Sequence, residues 1–118
     1  MQMLSRSALD GAVVILDLTG RFDAYAIPPI REWLNQVSIR PCPKVIINMT
    51  NVNFVDSSAL ALLMQGLKQC RQNEGDLYLC NFQDAVRTIF ELSRLDKAFE
   101  VFSNEAEALT AFKMPSQT

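Results

Sequence analysis

The chain has 118 residues, a formal net charge of −2, 49% apolar and 20% charged residues, and no histidine. That length holds a single domain, 1–118, with its own core, and the composition is that of an ordinary soluble globular protein. Without histidine no Ser-His-Asp or Cys-His nucleophile can be assembled, no basic cluster supports a nucleic-acid surface, and no run reaches the roughly 18 apolar residues of a membrane span.

Residues 1–9 read as a weakly patterned strand ending at Asp10-Gly11, a dipeptide suited to the positive φ angles of a type I′ hairpin turn. Ala12–Leu18 is a second, nearly continuous apolar strand, broken by Thr19-Gly20-Arg21-Phe22-Asp23. Pro28-Pro29 suits the first turn of a helix over 28–38, with Ile30, Trp33, Leu34 and Val37 along one buried face. Pro41-Cys42-Pro43 ends it, and the β-branched run Lys44–Met49 is a buried strand. A helix over 57–73 follows, its apolar stripe drawn by Leu60, Leu63, Met64 and Leu67 and its N-cap supplied by Asp56 or Ser57. Asn73-Glu74-Gly75 stops that helix, with Gly75 placed to take the left-handed conformation. Asp76–Cys80 is the next strand, so 44–80 forms a parallel, right-handed βαβ unit.

Val86, Ile89 and Phe90 stripe a helix over 83–94, and 98–102 is an edge strand. Ser103 or Asn104 caps a last helix burying Ala108, Leu109 and Phe112, and 114–118 reads as a frayed tail. The order β-β-α-β-α-β-α-β-α describes an α/β sheet covered by helices. Cys42, Cys70 and Cys80, odd in number and without CxxC spacing, read as reduced, mostly buried thiols in a cytoplasmic protein. No apolar signal core opens the chain, and no cofactor or metal motif is present.

The chemistry concentrates where the third strand hands over to its helix, at Asp56-Ser57-Ser58-Ala59. A helix N-terminus offers unpaired N–H groups and the positive end of the dipole, both of which favour an anion. A serine there can cap the helix, act as a nucleophile or receive a phosphate. Residue types alone leave the three open.

Phe54-Val55-Asp56-Ser57-Ser58-Ala59-Leu60 resembles the signature of the bacterial anti-sigma factor antagonists, the stand-alone STAS domains. Leu18–Asp23, Lys68–Leu77 and Ala85–Leu95 resemble further segments of that family, in order and at the right spacing. The resemblance implies a single-domain STAS fold, a mixed β-sheet with helices mainly on one face. It implies a partner switch and no enzyme: an anti-sigma factor serine kinase binds the unphosphorylated protein and releases it on phosphorylating Ser57. A PP2C-type phosphatase reverses the modification. By this resemblance Asp23, Asp56, Ser57, Ser58 and Ala59 face the partner, Ser57 is the phosphorylated residue, and Ser58 is its nearest competitor. Two residues depart from the family pattern, Ala59 for the usual glycine and Arg21 for the usual acidic residue. The rival reading is a STAS interaction or ligand-sensing module without sigma-factor control, associated with transporters, stressosomes or lipid traffic. An exposed edge strand also offers a way to pair in a homodimer.

Overall fold

The computed structural model describes residues 1–113, so the tail predicted at 114–118 lies outside the described residues. Its strands are β1 (Gln2–Ala8), β2 (Val13–Phe22), β3 (Lys44–Val55), β4 (Asp76–Cys80) and β5 (Glu100–Phe102). Its helices are α1 (Ile27–Ser38), α2 (Ser57–Gln72), α3 (Asp84–Leu92) and α4 (Glu105–Lys113). The strands lie side by side in chain order, β1 antiparallel to β2 and every later pair parallel, so the sheet is mixed. Three right-handed crossovers stepping the same way across a sheet must drop their helices on the same face. Accordingly α1, α2 and α3 pack Leu34, Leu63, Leu67 and Phe90 against Leu16, Val45, Ile47, Leu77 and Leu79. The helix after the last strand crosses to the other face, where Ala108 and Phe112 of α4 cover Val13, Ile15, Ile46 and Cys80.

One polar network pins α4. The Arg6 guanidinium on β1 donates to the carboxylates of Asp17 and Glu105, which raises its pKa further above the ordinary arginine range. Asn48 donates to Glu105 across 3.1 Å. Beyond this network α4 leaves the end of the sheet face bare, as an open trough of about 770 Å³ lined by residues that include Leu4, Asp17, Asn48 and Thr50.

Several boundaries differ from the sequence reading. β2 runs on through Thr19–Phe22, pairing with Asn51–Val55 across two irregularities, one of them beside Gly20 at φ 110°. β3 likewise continues past Met49 to Val55, burying Met49, Val52 and Val55 while Thr50, Asn51 and Asn53 stay exposed. The hairpin turn centres on Leu9-Asp10, at φ 53° and 58°, and the Gly11 N–H donates to the Ala8 carbonyl across 3.1 Å. At the end of α2 the left-handed residue is Glu74, at φ 66°, and not Gly75. Gly75 is required for closeness instead, because a Cβ there would fall 1.8 Å from the Pro43 carbonyl oxygen.

The buried stripe of α2 is Ala59, Leu62, Leu63, Gly66, Leu67 and Cys70, so Leu60 and Met64 sit on its flank. α3 and β5 are each shorter than predicted, with a 3₁₀ turn at Leu95–Lys97 between them. Asn104 caps α4, accepting from the Glu107 N–H at 2.9 Å. Trp33 is half-buried against the main core, its indole N–H donating to Ser5 Oγ at 3.0 Å. Of the three thiols Cys70 and Cys80 are buried, and burial pushes them up to about 11 and about 12; Cys42 is exposed.

Candidate functional site

The site is built where β2 and β3 end together. Phe22 and Val55 are register partners, both buried, so the residues that follow them emerge side by side at one end of the sheet. After Phe22 comes Asp23, whose Oδ1 accepts from the Tyr25 N–H at 3.1 Å and so caps a single 3₁₀ turn, Ala24–Ala26. That turn runs into α1, where Pro28 and Pro29 occupy the first positions and need no N–H partner. After Val55 comes Asp56, in extended conformation with φ −111° and ψ −178°, the geometry of an N-cap.

Asp56 binds the two exits to each other. Its Oδ1 accepts from the Ala59 N–H at 2.9 Å, capping α2. Its Oδ2 accepts from the Ala24 N–H at 3.1 Å, holding the 3₁₀ turn, and its own N–H donates to the Phe22 carbonyl at 3.2 Å. Of the two N-cap candidates in the sequence it is therefore Asp56, and not Ser57, that does the capping. Ser57 is thereby released: it is the first residue of the 16-residue α2 and it is exposed. Ser58 is exposed as well and lines a cleft of about 420 Å³ between α1 and α2, together with Ala24, Pro28, Arg31 and Gln65. Among the described residues no side-chain partner holds either hydroxyl.

Of the residues expected to face a partner, the structure brings Asp23, Asp56, Ser57 and Ser58 to one surface. Ala59 does not belong with them. Its side chain is fully buried, packed into the main core beneath the cap, so it meets the core and cannot touch a partner. A glycine there would relieve no crowding at the surface. Arg21, the charge reversal noted in the sequence, is exposed; its guanidinium lies 4.0 Å above the Phe54 ring and its Nε is 3.6 Å from Asp23 Oδ2. Two neighbours were not legible. Tyr25 projects from the capped turn with 94% of its surface exposed, and Arg31 reaches the cleft that holds Ser58. Neither carries a motif, since exposure of one aromatic or arginine is set by tertiary placement.

The arrangement suits modification and docking. A hydroxyl at a helix start, held open on a rigid rim and flanked by two carboxylates and one cation, can accept a group without repacking anything. No cluster of three or more metal-ligating side chains occurs among the described residues, and none of their helices is long and apolar enough to cross a membrane.

A model of the STAS domain family matches residues 7–108. An anti-sigma F factor antagonist of Paenibacillus polymyxa is 27% identical over 105 residues, which cover 88% of this chain and 90% of that relative. An anti-sigma-B factor antagonist of Staphylococcus aureus is 29% identical over 82 residues, covering 70% of this chain and 76% of the relative. The solved structure of the anti-sigma factor antagonist SpoIIAA in its unphosphorylated form matches with a TM-score of 0.81 at 21% identity, over 98% of this chain and 100% of that one. The phosphorylated form of SpoIIAA, from Bacillus, matches at 0.72 and 21%, over 94% and 99% of the two chains. With the mixed sheet, its helices and the serine at the start of α2 all in place, the family match over most of the sequence settles the classification: the chain belongs to the STAS domain family.

Proposed function

We propose that this protein is an anti-sigma factor antagonist whose hold on its anti-sigma partner is switched by phosphorylation of Ser57. The observation that carries the proposal is the division of labour at the α2 N-terminus. Asp56 takes the cap, so Ser57 stands exposed with its hydroxyl uncommitted. The partner is a serine kinase that docks on the rim formed by Asp23, Asp56, Ser57 and Ser58, and a PP2C-type phosphatase restores the binding form. Ser57 is a substrate residue here, and the protein performs no catalysis of its own.

Magnitudes favour a switch at the interface over one inside the fold. A phosphoryl group adds about −1.5 to −2 charges, and the dipole at a helix start stabilises such charge by roughly 0.3–1 kcal/mol. Against a carboxylate on a docked partner each unit of that charge is repelled by about 4 kcal/mol at about 4 Å, in a medium of effective dielectric near 20. About 1.4 kcal/mol suffices for each tenfold loss of affinity, so release follows without unfolding.

Incubation with an anti-sigma serine kinase and ATP, read by intact mass, tests the proposal. The expected result is a gain of about 80 Da, one phosphoryl group, that Ser57→Ala abolishes and Ser58→Ala does not. Absence of any gain with every such kinase from the same genome would overturn it in favour of the interaction or ligand-sensing module.

A further inference from the structure

We propose that β1 is a docking edge for a second copy of this chain, joined antiparallel so that Leu4 of each copy meets at the two-fold axis. Among the described residues β1 pairs with β2 and with no other strand, which leaves the outer row of amides and carbonyls along its seven residues open. Natural sheets guard such edges with proline, lysine, a bulge or extreme shortness. The opposite edge, β5, is three residues long and so is guarded by shortness. β1 has none of these guards. Its register with β2 is unbroken from Gln2 to Ala8, and it contains neither proline nor lysine. Its single charge, Arg6, points over the sheet face and is already paired there with Asp17 and Glu105, so a docking strand that sets no like charge against it can approach.

The side chains select the occupant. Leu4, at the middle of the strand, is 61% exposed beside the trough that α4 leaves bare. In a two-fold antiparallel pair centred on Leu4, the two leucines lie directly opposite and cover each other. Gln2 then faces Arg6 of the second copy, and the two arginines stay apart. A pair centred on Ser5 would set each Leu4 against an arginine, and one centred on Arg6 would oppose two like charges directly. A foreign strand would need its own matching apolar residue; a second copy supplies it by symmetry. The pairing leaves Ser57 free, because Leu4 looks toward the α4 side of the sheet and α2 packs on the other. This dimer is independent of the phosphorylation switch.

Sedimentation of the full chain from micromolar to about 1 mM, the span open to a small interface, reads the association directly. A monomer–dimer equilibrium is expected, with the dissociation constant raised about tenfold or more by Leu4→Lys and preserved by Leu4→Met. Position is read by disulfide trapping in a Cys42→Ser background. Leu4→Cys should cross-link readily under mild oxidation. Gln2→Cys should not, because four residues of strand, about 13 Å, separate it from its own copy. A chain monomeric throughout, a dimer indifferent to Leu4→Lys, or equal trapping at both positions would each overturn the proposal.

Discussion

Asp56→Ala probes the joint on which the site is built. The substitution removes the cap of α2, worth about 1 kcal/mol, and the bond that holds the Ala24 N–H. Ala24 is exposed, so water replaces part of the second bond and its loss falls near the low end of the usual range, about 0.5–1 kcal/mol. Together the cost is about 1.5–2 kcal/mol, which for a domain of this size lowers Tm by roughly 6–8 °C. Asp56→Asn separates the two roles, since asparagine caps as well as aspartate but its amide nitrogen cannot accept from Ala24. It should cost about 0.5–1 kcal/mol. Urea unfolding measures both variants, with an unchanged m-value confirming that the native state is what moved. Hydrogen exchange should show the Ala24–Ala26 turn opening in both variants and the first turn of α2 fraying in the alanine variant alone. If Asp56→Ala unfolded within about 0.5 kcal/mol of the parent, or the asparagine variant matched the alanine one, the shared-carboxylate account would be wrong.

Ser57→Asp should bind the anti-sigma kinase at least about tenfold more weakly than the parent while its Tm stays within a few degrees, as calorimetry on free and mixed proteins would show. Arg21→Glu exchanges a ring-stacked cation for a charge beside Asp23; the group is exposed, so stability should fall by no more than about 1 kcal/mol while partner choice changes, a split visible in paired unfolding and binding titrations. Gly75→Ala drives a Cβ into the Pro43 backbone and should cost about 3 kcal/mol or more by denaturant titration. Cys70 and Cys80 hold their protons to about 11 and about 12 against an ordinary value of 9.0, so the stability they contribute is whole below pH 9 and is lost as pH rises through those values. Unfolding midpoints should therefore drop above pH 9, and at pH 8 a thiol reagent should label Cys42 alone until the protein is unfolded.

The sequence disclosed the order of elements because each long one carried its own period, and it narrowed the α2 cap to Asp56 or Ser57 because both side chains can accept from a helix-start amide; only the geometry chose Asp56. It hid the far halves of β2 and β3. There Thr50, Asn51 and Asn53 read as loop, yet β3 has outrun β4 and α4 leaves that stretch bare, so polar residues occupy a strand buried on one side only. It also misplaced the inner face of α2 by one residue. Leu60 and Met64 outweigh Ala59 and Gly66 on any hydrophobicity count, but small residues are what let the helix press closest. A Cβ on Gly66 would meet the methyls of Leu34 and Leu77 at 3.2–3.3 Å. The family resemblance, which matches motif positions and carries no helix phase, put Ala59 on the partner surface, whereas its side chain belongs to the core.

The placement of Ala59 bears on how the switch can work. If the residue after the serine pair faced outward, its side chain would tune docking directly, and Ala59 would alter the contact. With that side chain buried, what a partner docking as proposed would meet at α2 is the exposed pair Ser57-Ser58 and the rim beside it. That rim is stiff because Asp56 spends both oxygens on backbone donors of two different segments, α2 and the Ala24–Ala26 turn. A phosphate on Ser57 would meet backbone segments already tied together; the charges nearby are Asp23 and Asp56, Arg21 between Phe54 and Asp23, and the exposed Arg31 of the cleft, whose side chain can turn without moving the backbone. A rigid surface converts an added charge into a change of affinity rather than a change of shape. The phosphorylated and unphosphorylated chains should then give nearly superimposable backbone amide spectra away from residues 21–25 and 54–60. Shifts spreading through β4 and α3 would show that phosphorylation acts by refolding, and that the stiffness argued from Asp56 is not what transmits the signal.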